Sequence, residues 1–140
     1  LGFQMLRTTD VQSGVITESH YNQQHDSANF AKAKLPIYTE RRLNGKLLSK
    51  ATNTLAIKST AQGSVIPYVS RSDESSYVYG SDGVSTLTST TVNTNTYDSW
   101  GNLTNNTATT TDAANSAYQT ITTVNNYGTA AEQQYGFFAC

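Results

Sequence analysis

The run Val84–Tyr97 alternates strictly, yet neither of its faces is apolar. One side carries Val84, Thr86, Thr88, Thr90, Val92, Thr94 and Thr96. The other carries Ser85, Leu87, Ser89, Thr91, Asn93, Asn95 and Tyr97. A strand packed on a core shows one greasy face. A strand polar on both sides has water, or a polar cargo, on both sides. It belongs to a sheet held by ladder bonds and Thr–Thr cross-strand pairs. Such a sheet suits a shell or fibre wall and is a poor element of a compact globule.

The rest of the chain reads the same way. Gly2 to Asp10 and Val15 to Asn22 flank the turn cluster Asp10–Gly14 and form a hairpin. Gln23 to Lys34 is irregular, with a helical turn expected over Asn29–Lys34, and Pro36 opens the next strand. Ile37–Leu43 and Lys46–Lys58 flank Asn44-Gly45, which predicts a two-residue type I′ turn. Pro67 predicts that Ser64–Ser70 is a short edge strand, separate from Ser76–Tyr79. Turns are expected at Gly80–Gly83, Asp98–Gly101 and Asp112–Asn115, followed by strands Asn102–Thr111 and Ser116–Tyr127. Thr129–Tyr135 fits either helix or strand. The fold class is therefore all-β: antiparallel hairpins in a meander that forms a curved sheet.

Composition supports this. Only 14% of residues are charged, and nine Tyr carry most of the aromatic mass. Thr and Tyr favour strands, while Asn, Gly and Ser favour turns. A chain of 140 residues suits one β-rich segment, with sub-parts 1–71 and 72–140 marked by charge. All nine Lys and Arg lie at or before Arg71, against four acids; six acids and no base follow. The bases are scattered, with Arg41-Arg42 the only adjacent pair, so nucleic-acid binding is not expected. Cys140 is the single cysteine and has no internal disulfide partner. No apolar run is long enough to span a membrane as a helix, and no direct membrane insertion is expected. Leu1 at the start and the apolar Phe137-Phe138-Ala139-Cys140 at the end read as an excised internal piece of a longer protein.

Chemistry-bearing residues are few. Glu18 and His20 share a strand face, with His25 and Asp26 in the next loop, but the spacing matches no zinc pattern. Asp82 and Asp98 each sit beside a turn glycine, where Asp is expected to bond the backbone. No nucleophile elbow, Cys/His pair or phosphate loop is present. We expect no catalytic residues, no metal site and no cofactor. Tyr68, Tyr77, Tyr79, Tyr97 and Trp100 among Asn and Thr also allow a second reading, an extracellular adhesin or glycan-binding β module.

The segment TYDSWGNLT, with Tyr97, Asp98, Trp100, Gly101, Asn102, Leu103 and Thr104, resembles the tyrosine-aspartate (YD) repeat of Rhs-type proteins, Y-D-x-x-G-x-(hydrophobic)-T. The opening LGFQMLRTTDVQSGVITESHYNQ is similar to L-G-F-x-x-x-x-x-T-D-x-x-S/T-G-x-x-T-E-x-x-Y-x-Q. That stretch is found in the toxin-complex B component and in proteins like Salmonella virulence plasmid B. LPIYTERRLNGKLLSKATNTLAI resembles their long hairpin around N-G-x-L-L-S, and TITTVNNYG resembles their T-x-N-x-Y. The four segments stand in the family's order. The connection Gln23–Pro36 lacks the family's short F-P-x-x-G form, and YGFFAC replaces its Gly-Arg-Leu repeat start. The resemblance implies a wall segment of a hollow β-shell that encloses a toxic C-terminal effector. It implies a secreted or bacterial cell-surface location. Its partners would be other parts of the shell, the toxin cargo and toxin-complex partner subunits. Tyr97 to Thr104 would be structural repeat-motif residues, and Asn44 and Gly45 a turn.

Overall fold

A computed structural model describes residues 3–128 except 25 and 28. The described residues form eight strands: β1 Met5–Thr9, β2 Ile16–Tyr21, β3 Pro36–Leu43, β4 Lys46–Ser59, β5 Val65–Tyr79, β6 Ser85–Tyr97, β7 Leu103–Asp112 and β8 Ala117–Val124. All lie in one sheet whose spatial order is the sequence order, each strand antiparallel to the next. The chain is an all-β meander. A single 3₁₀ turn at Phe30–Lys32 falls where a helical turn is expected.

The sheet is one layer thick. Among the described residues no hydrophobic side chain is buried; the buried residues are Asn22 and Thr60. The unburied pattern of Val84–Tyr97 thus holds for the whole sheet. Hydroxyl pairs tie strand to strand in place of a core. Ser19 meets Thr39 at 3.2 Å, Thr91 meets Thr110 at 3.0 Å, and Thr107 and Thr109 meet Thr122 and Thr120 at 3.4 Å each. Each pair contributes on the order of 0.2–1 kcal/mol.

One sequence expectation is corrected. The runs expected at Ser64–Ser70 and Ser76–Tyr79 belong to a single 15-residue strand, β5 Val65–Tyr79, in the interior of the sheet. Pro67 is tolerated because its stretch has ladder pairing on one side only. β5 pairs with β4 from Val65, whereas its pairing with β6 begins at Arg71. The missing amide therefore falls where no β6 carbonyl waits for it. The change in charge sign after Arg71 falls within β5, so the basic half occupies the β1 side of the sheet and the acidic half the β8 side.

The turns repeat one design. Thr60–Gly63, Gly80–Gly83, Asp98–Gly101 and Asp112–Asn115 each close with the fourth amide donating to the first carbonyl. In each, the first amide donates to the carbonyl just past the turn. The fourth residue has positive φ in all of them. This is a type I turn followed by a left-handed residue, a common hairpin connection. Two turns depart from it: Asp10–Gly14 closes over five residues, with the Gly14 amide donating to Asp10 O, and Asn44-Gly45 is a two-residue turn. Leu43 pairs directly with Lys46, and the two turn residues have φ of 51° and 76°. A Cβ on Gly45 would meet nothing within 4 Å. Gly45→Val therefore costs backbone strain alone, about 1–2 kcal/mol. We expect that loss in urea denaturation, with an unchanged dependence of stability on urea.

Candidate functional site

Almost every strand pair carries a register shift, and the shifts are systematic. In each case the strand entering after the turn has one extra residue: Ile37, Leu48, Ser70, Thr88, Thr104 and Tyr118 are skipped in the registers of β3 to β8. Such bulges bend a strand and increase its twist. A bulge also disturbs the ladder and leaves backbone groups needing partners. Three of the extra residues supply one themselves. The Ser70, Thr88 and Thr104 hydroxyls donate to the carbonyls of Thr54, Ser76 and Thr96 at 3.1, 3.0 and 3.2 Å. Those carbonyls belong to the residues immediately before each shift.

A second device works from the other side. The carboxamide of Asn53 donates to the carbonyl of Pro36, that of Asn95 to Val69, and that of Asn125 to Leu103, at 3.1, 3.0 and 3.0 Å. Each acceptor directly precedes a bulge residue: Ile37, Ser70 or Thr104. The three asparagines open the tripeptides Asn53-Thr54-Leu55, Asn95-Thr96-Tyr97 and Asn125-Asn126-Tyr127. In the first two, the asparagine clamps the strand before it, and the carbonyl of the next residue accepts the hydroxyl of the strand after it. The tripeptide is a joint linking three strands.

The residues singled out from the sequence gather at the second joint. Tyr97 pairs with Leu103, and its ring lies 4.5 Å from the Tyr68 ring at 53°. Burial raises the Tyr97 phenol above its ordinary value. Thr104 is the bulge residue. Asp98 organises the turn. Its Oδ1 accepts the amides of Trp100 and Asn102 at 2.8 and 2.9 Å, and its Oδ2 accepts the Asn102 carboxamide at 3.0 Å. Burial pushes its carboxyl up, but the donors of Asn102 and Trp100 outweigh that and hold it below the usual value. The turn leans on the β4–β5 hairpin. The Ala61 amide donates to Ser99 O at 2.7 Å, and the Lys58 ammonium donates to Tyr97 O. Gly101, at φ 91°, sits so close that a Cβ would come within 2.2 Å of Ile66 Cδ1. Trp100 is half-buried. Asn44 and Gly45 lie at the opposite end of the hairpins, away from this joint.

Sequence reasoning missed Asn53, Asn95, Asn125, Ser70 and Thr88. The signal was present as the recurring Asn-x-(Leu/Tyr), but its copies are unevenly spaced. Sequence reasoning placed the turn Asp112–Asn115 without assigning the Asp112 side chain, whose Oδ1 accepts the amides of Ala114 and Ser116 as Asp98 does for its own turn.

Elsewhere the chemistry is that of ion pairs. Glu18 and Glu40 stand directly opposite each other on β2 and β3, an unfavourable pairing by itself. Each has its own arginine. Arg7 reaches Glu18 at 2.6 Å, and Arg42 holds both oxygens of Glu40 at 2.5 and 3.0 Å. Arg7 and His20 hold the Glu18 carboxyl below its ordinary value, and Arg42 does so for Glu40. Tyr38 donates to Glu40 at 2.6 Å, which pushes its phenol up to about 12. His20 bonds Glu18 at 2.8 Å. Of the other residues considered as metal ligands, Asp26 accepts from Asn29, and His25 lies outside the described residues. Among the described residues no group of three or more His, Cys, Asp or Glu gathers as a metal site. Asp82 bonds the Val84 amide within its turn.

No protein-family model matches this chain, and no curated protein matches it. Among solved structures, a protein of unknown function from Bacteroides fragilis aligns over 89% of this chain and 94% of its own, at 11% identity and a TM-score of 0.32. That similarity is too low to carry an inference about fold or function.

Two outcomes follow from the geometry. Asp98→Ala removes three acceptor contacts from a turn that packs on its neighbour and should cost about 1–3 kcal/mol. Asp112→Ala, which removes two at an exposed turn, should cost less; paired urea titrations measure both. The carboxyls of Glu18, Glu40 and Asp98 are all lowered in the folded chain. Their contribution is therefore present at neutral pH and lost as pH falls through their folded values. Tm should be flat near neutrality and drop below about pH 4.5, with a shallower drop in Glu40→Gln.

Proposed function

We propose that this chain is a wall segment of a bacterial Rhs or toxin-complex-type shell that encapsulates and helps deliver a C-terminal toxic effector. The observation that carries this reading is the one-layer sheet in which no described hydrophobic side chain is buried. A sheet wet on both sides separates two aqueous compartments and has no interior of its own to fill. The ordered likeness of the four sequence segments adds the family. In this reading the chain performs no catalysis and holds no cofactor. The Tyr97–Thr104 joint keeps adjacent hairpins together, and Tyr97 and Trp100 pack on the neighbouring hairpin and face no ligand. Secretion or display at the bacterial surface follows from the same reading.

The test uses the parent protein. Trp100→Ala should loosen the wall. Its enclosed segment should then be cleaved by added protease several times faster than in the unchanged protein, with binding to a glycan array unaltered. Loss of glycan binding with unchanged protease resistance would transfer the assignment to an adhesin.

A further inference from the structure

The three joints are not equally complete. At the first, Asn53 clamps β3 and Thr54 O accepts the Ser70 hydroxyl of β5. At the second, Asn95 clamps β5 and Thr96 O accepts the Thr104 hydroxyl of β7. At the third, Asn125 clamps β7, and Tyr127 adds a bond from its hydroxyl to Leu103 O at 3.0 Å. Asn126 stands where Thr54 and Thr96 stand in the other two. Among the described residues no hydroxyl is bonded to Asn126 O. Every residue of β8 is exposed, and no described strand pairs with its outer edge.

We propose that the outer edge of β8 is an interaction surface for an antiparallel strand that carries an apolar residue followed by Ser or Thr. The chemistry is set by the two complete joints. There the incoming strand presents Val69-Ser70 against Leu55 and Leu103-Thr104 against Tyr97. In the third joint Tyr127 takes the place of Leu55 and Tyr97. The incoming strand lays its apolar residue beside Tyr127, bulges at the hydroxyl residue, and donates that hydroxyl to Asn126 O. β8 carries no charge and no proline, so nothing on it blocks pairing. Residues 129–140 contain a single hydroxyl residue of this type, Thr129, and it follows a glycine, so this stretch does not supply the pair. The occupant is therefore a strand from a neighbouring part of the wall. In that respect alone the proposal rests on the wall reading.

The probe is a labelled synthetic peptide with the sequence of residues 101–111, GNLTNNTATTT, which seats on β6 within the chain itself. Added to the intact chain, it should bind with a measurable anisotropy change and slow amide exchange across Ala117–Val124. The same peptide with Thr104→Val should bind about fivefold more weakly, the worth of one neutral hydrogen bond. Absence of slowed exchange in β8, or equal binding of the threonine and valine peptides, overturns the proposal. So does protection confined to β1, the other edge. The wall reading is judged separately, by protease access to the enclosed segment of the parent, and survives any outcome with the peptide.

Discussion

A strand that is polar on both faces has lost the usual means of fixing its register. In an ordinary sheet a slip of one residue throws the hydrophobic set into water, and that penalty holds the strands in place. Here the penalty is small, because no described hydrophobic side chain is buried to begin with. Thr and Ser would make hydroxyl pairs almost as well one step along. The structure therefore needs local devices that recognise one register only, and it has two kinds. The tight turns set where their hairpins begin, through a last residue at positive φ or, at Asn44-Gly45, through two such residues. The joints set how each strand meets the next, since a carboxamide and a hydroxyl reach their carbonyls only when the bulge falls at one position.

This makes the bulge the central element of the design. A bulge normally weakens a ladder. In this sheet Ser70, Thr88 and Thr104 partner carbonyls beside it, so the weak point becomes a second anchor. Every strand from β3 to β8 carries one in its first half, so each strand pair from β2–β3 onward has a built-in site for bending and extra twist.

The parts legible in the sequence were those set by local chemistry. The Asn44-Gly45 turn, the Asp98 turn and the alternation of Val84–Tyr97 act over a few residues and report themselves directly. The all-β class followed from them. What stayed hidden depends on pairs far apart in the chain. Asn95 meets Val69 across 26 residues, and nothing in the neighbourhood of either announces the other. Pro67 misled for the same reason. The rule that proline marks an edge is correct for the ladder position, but that position can be one-sided within an interior strand, and only the register shows it. Of the candidate site, the residues from Tyr97 to Thr104 were read as a repeat motif; their role in holding the preceding and following strands required the geometry.

Without a core, each strand is held mainly by its two neighbours, as in repeat proteins whose stability is a sum of nearest-neighbour contacts, with the Lys58 ammonium of β4 on Tyr97 O of β6 as a bond that skips a strand. The longest strands, β4 and β5 with 14 and 15 residues, lie at the centre of the order and carry the most extensive pairing. β1 and β8 have one described neighbour each, and every residue in both is exposed. Stability must therefore fall from the middle outward, and local opening must start at the edges. In a globular domain a new partner adds to a fold that is already complete. Here a strand added at β8 supplies the same kind of contact that holds β4 to β5, so docking and folding draw on one set of interactions. A sheet built this way gains stability by being continued, and its cohesion is shared with whatever lies beside it.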